Sequence, residues 1–151
     1  MAFYQLQETQ ELQASIEEVW AFISSPLNLK KITPPSMGFD ITSDLPERMY
    51  EGMIISYKVS PLLGIKTNWV TEITHIREKE YFVDEQRVGP YSMWHHQHRI
   101  EPIKSGVLMK DIVTYQPPFG PVGALMNTLV ISKKLREIFE FRRSALQDYF
   151  H

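Results

Sequence analysis

Three histidines fall within four positions, His95, His96 and His98, and carboxylates stand before and after them at Asp84 and Asp111, with a phenol at Tyr115. In a strand, His96 and His98 point to one face and His95 to the other, because side chains alternate. An imidazole held by a carboxylate can move protons, and with Tyr115 beside it the set has the residue types for a cyclisation or dehydration. It can also ligate a cation, with Asp84 as a third ligand to His96 and His98. Or it can orient the polar end of a ligand, or satisfy a structural hydrogen bond and do nothing more. Two histidines on one strand, without a third histidine or a cysteine in the motif, are a weak metal signature, so the reading is no metal and no cofactor. No phosphate-binding glycine loop or dedicated nucleophile accompanies them. Binding is therefore preferred to catalysis, and His96, His98 and Asp84 are the catalytic candidates if the protein is an enzyme.

Period-two alternation assigns these residues to strands over 65–77, 80–88, 92–103 and 107–116. One face carries Trp69, Thr71 and Ile73, then Phe82, Asp84 and Gln86, then Trp94, His96, His98 and Ile100, then Met109, Asp111, Val113 and Tyr115. The opposite face carries Glu72, Glu85, Arg87, Arg99 and Lys110 and belongs in water. A three-residue loop at Gly89-Pro90-Tyr91 would pair Gln86 with Trp94, Asp84 with His96 and Phe82 with His98. A two-residue turn at Ser105-Gly106 would pair His98 with Val113 and His96 with Tyr115, placing Asp84, His96 and Tyr115 in one row and Asp111 diagonal to His98.

Other segments must close around that face. Residues 3–12 read as an edge strand, and 37–42 and 53–60 as two more. Ser15 with Glu18 is a capping box for a short helix to about Ser25, carrying Ile16, Val19, Trp20 and Ile23 at helical spacing. Pro117 to Pro121 end the last strand, and a long helix follows over 122–150. Its apolar stripe is read as Leu125, Leu129, Leu135, Phe139, Leu146 and Tyr149 or Phe150, and only the concave face of a sheet is long enough to cover it. Arg136, Arg142 and Arg143 read as a solvated basic cluster. Leu62 and Leu63 in the loop 60–65 read first as packing against the long helix; if exposed, they are candidates, with Phe119 opposite, for a portal, or for a face that docks on a protein or membrane. Met109 and Met126 are flexible apolar fillers suited to a pocket wall.

The chain has 151 residues, 43% hydrophobic and 23% charged, enough to bury a core as one domain over 1–151. Sixteen Lys and Arg against eighteen Asp and Glu give no basic field for nucleic acid. Without cysteine there is no disulfide, thiolate nucleophile or Cys-based zinc site. The N-terminal residues lack a secretory pattern and no stretch is apolar enough to span a bilayer, so a cytoplasmic location is expected.

Ile16-Glu17-Glu18-Val19-Trp20, Trp94-x-His96-x-His98, Asp111-x-Val113-x-Tyr115 and Pro118-Phe119-Gly120-Pro121 together resemble the START-like superfamily, more narrowly its bacterial branch of polyketide cyclase/dehydrase and lipid-transport-like proteins. Better-known relatives in that superfamily include aromatic cyclases, quinone-binding proteins and sterol or plant-hormone binders. The resemblance covers nearly the whole chain. It implies an α+β helix-grip fold, a curved antiparallel sheet of about seven strands around a long C-terminal helix, with a cavity between them for a small hydrophobic ligand. The expected wall is then Trp69, Thr71, Phe82, Trp94, Met109 and Val113 with Leu125, Met126 and Leu129, and the expected polar groups are Asp84, Gln86, His96, His98, Asp111 and Tyr115.

Overall fold

Alternation and turn residues produce seven strands: β1 (Tyr4–Leu12), β2 (Asp40–Ile41), β3 (Ile54–Val59), β4 (Thr67–Arg77), β5 (Tyr81–Val88), β6 (Met93–Ile103) and β7 (Gly106–Gln116). The structure is a computed structural model and describes residues 3–60 and 64–151. All seven strands form one antiparallel sheet in the order β1-β7-β6-β5-β4-β3-β2, so the first strand lies beside the last. β2 is shorter than the expected 37–42, because Pro35–Met37 coil into a 3-10 turn that ends at Gly38, whose φ of 59° is left-handed. β4 shifts register against β5 between Val70 and Thr71 and again between Ile73 and His75. Such irregularities bend a strand, and they are what strands longer than ten residues need to curl around a helix.

Ser15 begins α1 (Ile16–Ile23) as the capping box predicts: its hydroxyl accepts from Glu18 N–H at 3.2 Å, and the Glu18 carboxylate accepts from Ser15 N–H at 2.8 Å. Val19, Trp20, Phe22 and Ile23 turn inward, and Trp20 meets the edge of Phe82 on β5. Ser15→Ala should cost about 1 kcal/mol in urea-unfolding free energy, with the native fold retained. A Glu18→Gln variant, which keeps a reciprocal acceptor, should lose less.

The C-terminal helix runs as α2 (Gly120–Met126), a π-helical segment (Asn127–Ile131) and α3 (Ser132–Tyr149). Gly123, Asn127, Ile131, Leu135, Phe139, Arg142 and Leu146 face the sheet. Leu125 and Leu129 do not: they are 60% and 64% exposed. Six residues separate Leu129 from Leu135, a rotation that leaves them roughly 120° apart around an α-helix, so the stripe read from the sequence joined two faces. The true inward residues at that end, Gly123 and Asn127, carry no apolar signal. Gly123 is there because a Cβ would lie 1.8 Å from the Pro118 carbonyl oxygen. Among the described residues no helix is long and apolar enough to cross a membrane.

Candidate ligand site

β5, β6 and β7 carry the polar groups. Asp84 pairs with His96 and Phe82 with His98, as the loop at 89–91 predicts. The β6–β7 pairing is displaced by two residues from expectation: Ile103 faces Gly106, His98 faces Asp111, His96 faces Val113 and Trp94 faces Tyr115. The turn is Lys104-Ser105, and Gly106 already belongs to the strand. It has φ 147°, and a Cβ there would lie 2.1 Å from the Leu12 carbonyl oxygen, so this glycine serves the close approach of β1 rather than the turn. A two-residue displacement leaves every side chain on its face, which is why the inward set survives while the row does not. Asp84, His96 and Tyr115 are therefore not one row, and the Tyr115 hydroxyl donates instead to Asn127 Oδ1 at 2.7 Å. Regular β5–β6 pairing stops at Glu85 and His95, so Gln86 has no strand partner in Trp94. Its amide clasps the backbone of Tyr91, donating to the carbonyl at 2.7 Å and accepting from the N–H at 3.0 Å.

At the centre is a buried charge cluster. His98 Nε2 donates to Asp84 Oδ2 at 2.5 Å and His96 Nε2 donates to Asp111 Oδ1 at 2.8 Å. Arg142, from α3, donates through Nη2 to Asp111 Oδ1 at 3.3 Å and to His98 Nδ1 at 3.2 Å. A guanidinium only donates and a carboxylate only accepts, which fixes the His98 tautomer with its proton on Nε2. The His98 ring stacks on His96 at 3.6 Å and on Phe82 at 4.0 Å. Burial, with the charges of His96 and Arg142, pushes His98 down to about 4 against the pull of Asp84, so it is neutral at neutral pH. Burial works to raise both carboxyls, but is outweighed. The His98 hydrogen bond, with the Arg142 guanidinium nearby, holds Asp84 below its ordinary value, and Arg142 with the His96 hydrogen bond holds Asp111 well below it.

A pocket of about 150 Å³ lies between the sheet and α3, with Asp84, His96, His98 and Arg142 gathered together in its wall. Of the expected wall, Trp69, Thr71, Phe82 and Trp94 line it. Met109 and Val113 are buried in the core without reaching it, and Asp111 and Tyr115 act through the neighbours they bond. Met126 packs at the edge of the aromatic cluster. Leu125 and Leu129 lie on the outer surface, Phe119 is 79% exposed, and Leu62 and Leu63 lie outside the described residues.

Residues that the sequence reading did not assign to the pocket also line it, among them Phe39, Tyr57, Tyr91, Leu135, Phe139 and above all Arg142. Tyr57 stacks on Trp69 with an interplanar angle of 12°, and Trp69 meets Trp94 edge-on at 5.4 Å. Trp69 Nε1 donates to Thr71 Oγ1 at 3.0 Å, and the Tyr57 hydroxyl lies 3.3 Å from the same oxygen. Burial raises the Tyr57 phenol above its ordinary value, despite its hydrogen bond to Thr71. Arg142 is buried rather than solvated, and its spacing told as much: it stands three residues after Phe139 and seven after Leu135, on the inward stripe.

Asp84, His96 and His98 bring ligand atoms within 4.8 Å of one another. That donor set does not fit a cation as it stands, because His98 Nε2 carries a proton for Asp84 while a guanidinium occupies the other ring nitrogen.

No family model matches the sequence, and no curated protein does. Solved structures do. The protein CV1439 from Chromobacterium violaceum superposes with a TM-score of 0.74 at 13% identity, over 97% of this chain and 96% of its own. The KanY protein gives 0.72 at 14% identity, with 99% of both chains covered, and Ara h 8.0201 gives 0.67 at 11%, over 99% and 98%. The chain has the helix-grip fold. At such identities the likeness extends to the fold alone, and function has to be argued from this chain's own residues.

Proposed function

We propose that the protein binds a small, largely apolar molecule in the pocket between the sheet and α3. The observation that carries this reading is the composition of the lining: aliphatic and aromatic side chains around most of it, and Asp84, His96, His98 and Arg142 gathered together. A few convergent polar groups in an apolar concavity are the usual make-up of a ligand site. About 150 Å³ is the size of an engineered cavity that takes benzene, and smaller than the ~300–1,000 Å³ of clefts for drug-sized ligands. A single-ring molecule, or a chain of similar bulk, fits without rearrangement. For a cyclase or dehydratase the cluster offers less support, since both ring nitrogens of His98 are engaged.

Two measurements test the reading. Native mass spectrometry of protein purified from its host, followed by organic extraction, should reveal a bound small molecule. Titration with toluene should quench or shift the fluorescence of Trp69 and Trp94 to saturation, and Phe139→Trp, which adds bulk to the wall, should weaken that binding at least about tenfold, ~1.4 kcal/mol. A folded protein that takes up neither host molecule nor toluene would remove the proposal.

A further inference from the structure

The start of the C-terminal helix turns large apolar side chains outward. Phe119, the residue that caps α2, has φ 68°, a left-handed conformation that bulky side chains seldom take, and its ring is 79% exposed. The fold thus holds an aromatic ring in water from a strained backbone position, a combination that stability alone does not favour. That position is fixed: Gly123 lets the helix close on the Pro118 carbonyl, and the N–H groups of Val122 and Gly123 donate to the Phe119 carbonyl at 3.1 and 3.3 Å. Val122, Leu125 and Leu129 follow on the outward side at spacings of three and four, each more than half exposed. A single exposed leucine needs no explanation, but a row of apolar residues along one helix face does. Phe3 stands exposed at the same end of the sheet, because it precedes Tyr4, which pairs with Tyr115 near the end of β7.

Charge selects the partner. Between Asp111 and Glu137 the chain has no carboxylate, although acidic residues outnumber basic ones overall. Lys133, Lys134 and Arg136 fall within that interval, one to two turns beyond Leu129. Lys133 and Arg136 are exposed and meet no carboxylate among the described residues; Arg136 donates to Ser132 Oγ at 3.0 Å, and Lys134 reaches Glu137 at 3.9 Å. An apolar row followed by cations suits a lipid interface, where rings and leucines enter the headgroup boundary and long cationic side chains meet anionic headgroups. A second copy of the chain fits worse. A two-fold interface uses the same patch twice, and this patch has no carboxylate to offer the partner's cations.

We infer that the face formed by Phe119, Val122, Leu125 and Leu129, with Lys133 and Arg136 beside it, docks on the anionic surface of a lipid bilayer. The docking is peripheral, and it does not rest on the pocket reading above.

Flotation of the intact protein with vesicles of phosphatidylcholine alone, and of phosphatidylcholine with about one-third phosphatidylserine, tests it. Binding to the serine-containing vesicles should be at least about tenfold tighter, and salt should weaken it. Leu125→Ser with Leu129→Ser should lower that binding by about tenfold or more, and Lys133→Ser with Arg136→Ser by a similar factor. All four side chains are exposed, so both variants should keep the wild-type circular dichroism, and the wild-type vesicle comparison stands on its own if either fails to fold. No binding to either vesicle, equal binding to both, or binding that survives the leucine substitutions in a folded variant would overturn the inference. Sedimentation velocity showing a dimer that the leucine substitutions dissolve would overturn it in favour of a second copy. None of these readouts depends on toluene uptake, so their failure leaves the pocket reading standing.

Discussion

Arg142→Met is expected to destabilise the protein by about 3–5 kcal/mol, measured by urea unfolding at pH 7. Arg142 is 8% exposed, and its Nη2 reaches both Asp111 and His98. Methionine fills much the same space and keeps the apolar contacts of the stem, so what is lost is the charge. Asp111 would then stay buried with only His96 as partner, and the cost of an uncompensated buried carboxylate exceeds what the intact pair contributed. One detail limits the gain from the native arrangement, since Arg142 Nε is buried without a hydrogen-bond acceptor. Arg143 supplies the contrast one residue along. It pairs with Glu8 at 3.1 Å, but both side chains are more than a third exposed, and Arg143→Met should cost less than about 1 kcal/mol. Removing the Asp111 charge as well, in Arg142→Met with Asp111→Asn, should recover part of the loss. If Arg142→Met were no more costly than Arg143→Met, the cluster would not be a buried ionic unit.

How far the site could be read from the sequence follows from which signals are periodic. Strand faces were legible because alternation is insensitive to a slip of two residues: Asp84, His96, His98 and Asp111 emerged on one face although the β6–β7 pairing was misplaced. The Asp84–His96 pairing was legible from the loop at 89–91, and the first helix from Ser15 and Glu18. The pairing of Tyr115 was not, because Gly106 looks like a turn residue and is needed for the approach of Leu12. Nor was the first part of the C-terminal helix, where glycine and asparagine face inward, exposed leucines imitate a core stripe, and a π segment interrupts the regular turn. Arg142 was hidden by its chemistry: a charged residue next to Arg143 reads as surface, and only its phase with Phe139 and Leu146 says otherwise. Tyr57 stands in a stretch whose alternation, Ile55, Tyr57 and Val59, carries no polar residue to mark it, and Phe39 stands just before the two-residue β2, too short to show an alternation.

Acidification should destabilise the protein well before its carboxylates reach their ordinary titration range, and His98 is the group responsible. Its folded value is lowered from 6.5 to about 4, burial being the largest cause. A lowered value means that the unfolded chain binds the proton more readily than the folded one, so the stabilisation is fully present above about pH 6.5 and drains away as pH falls toward 4. The whole effect is on the order of 3 kcal/mol. Asp84 and Asp111, both held below the ordinary carboxylate value, add a loss of the same sign at lower pH. Urea midpoints measured from pH 7.5 to 4.5 should therefore fall continuously. His98→Gln can still donate to Asp84 and lacks a titrating group, so it should be less stable at pH 7.5 yet give a much flatter curve across the same range. A curve of unchanged slope in His98→Gln would place the titration elsewhere, and a wild-type curve flat from pH 7.5 to 4.5 would mean that water reaches the imidazole the fold is drawn to exclude.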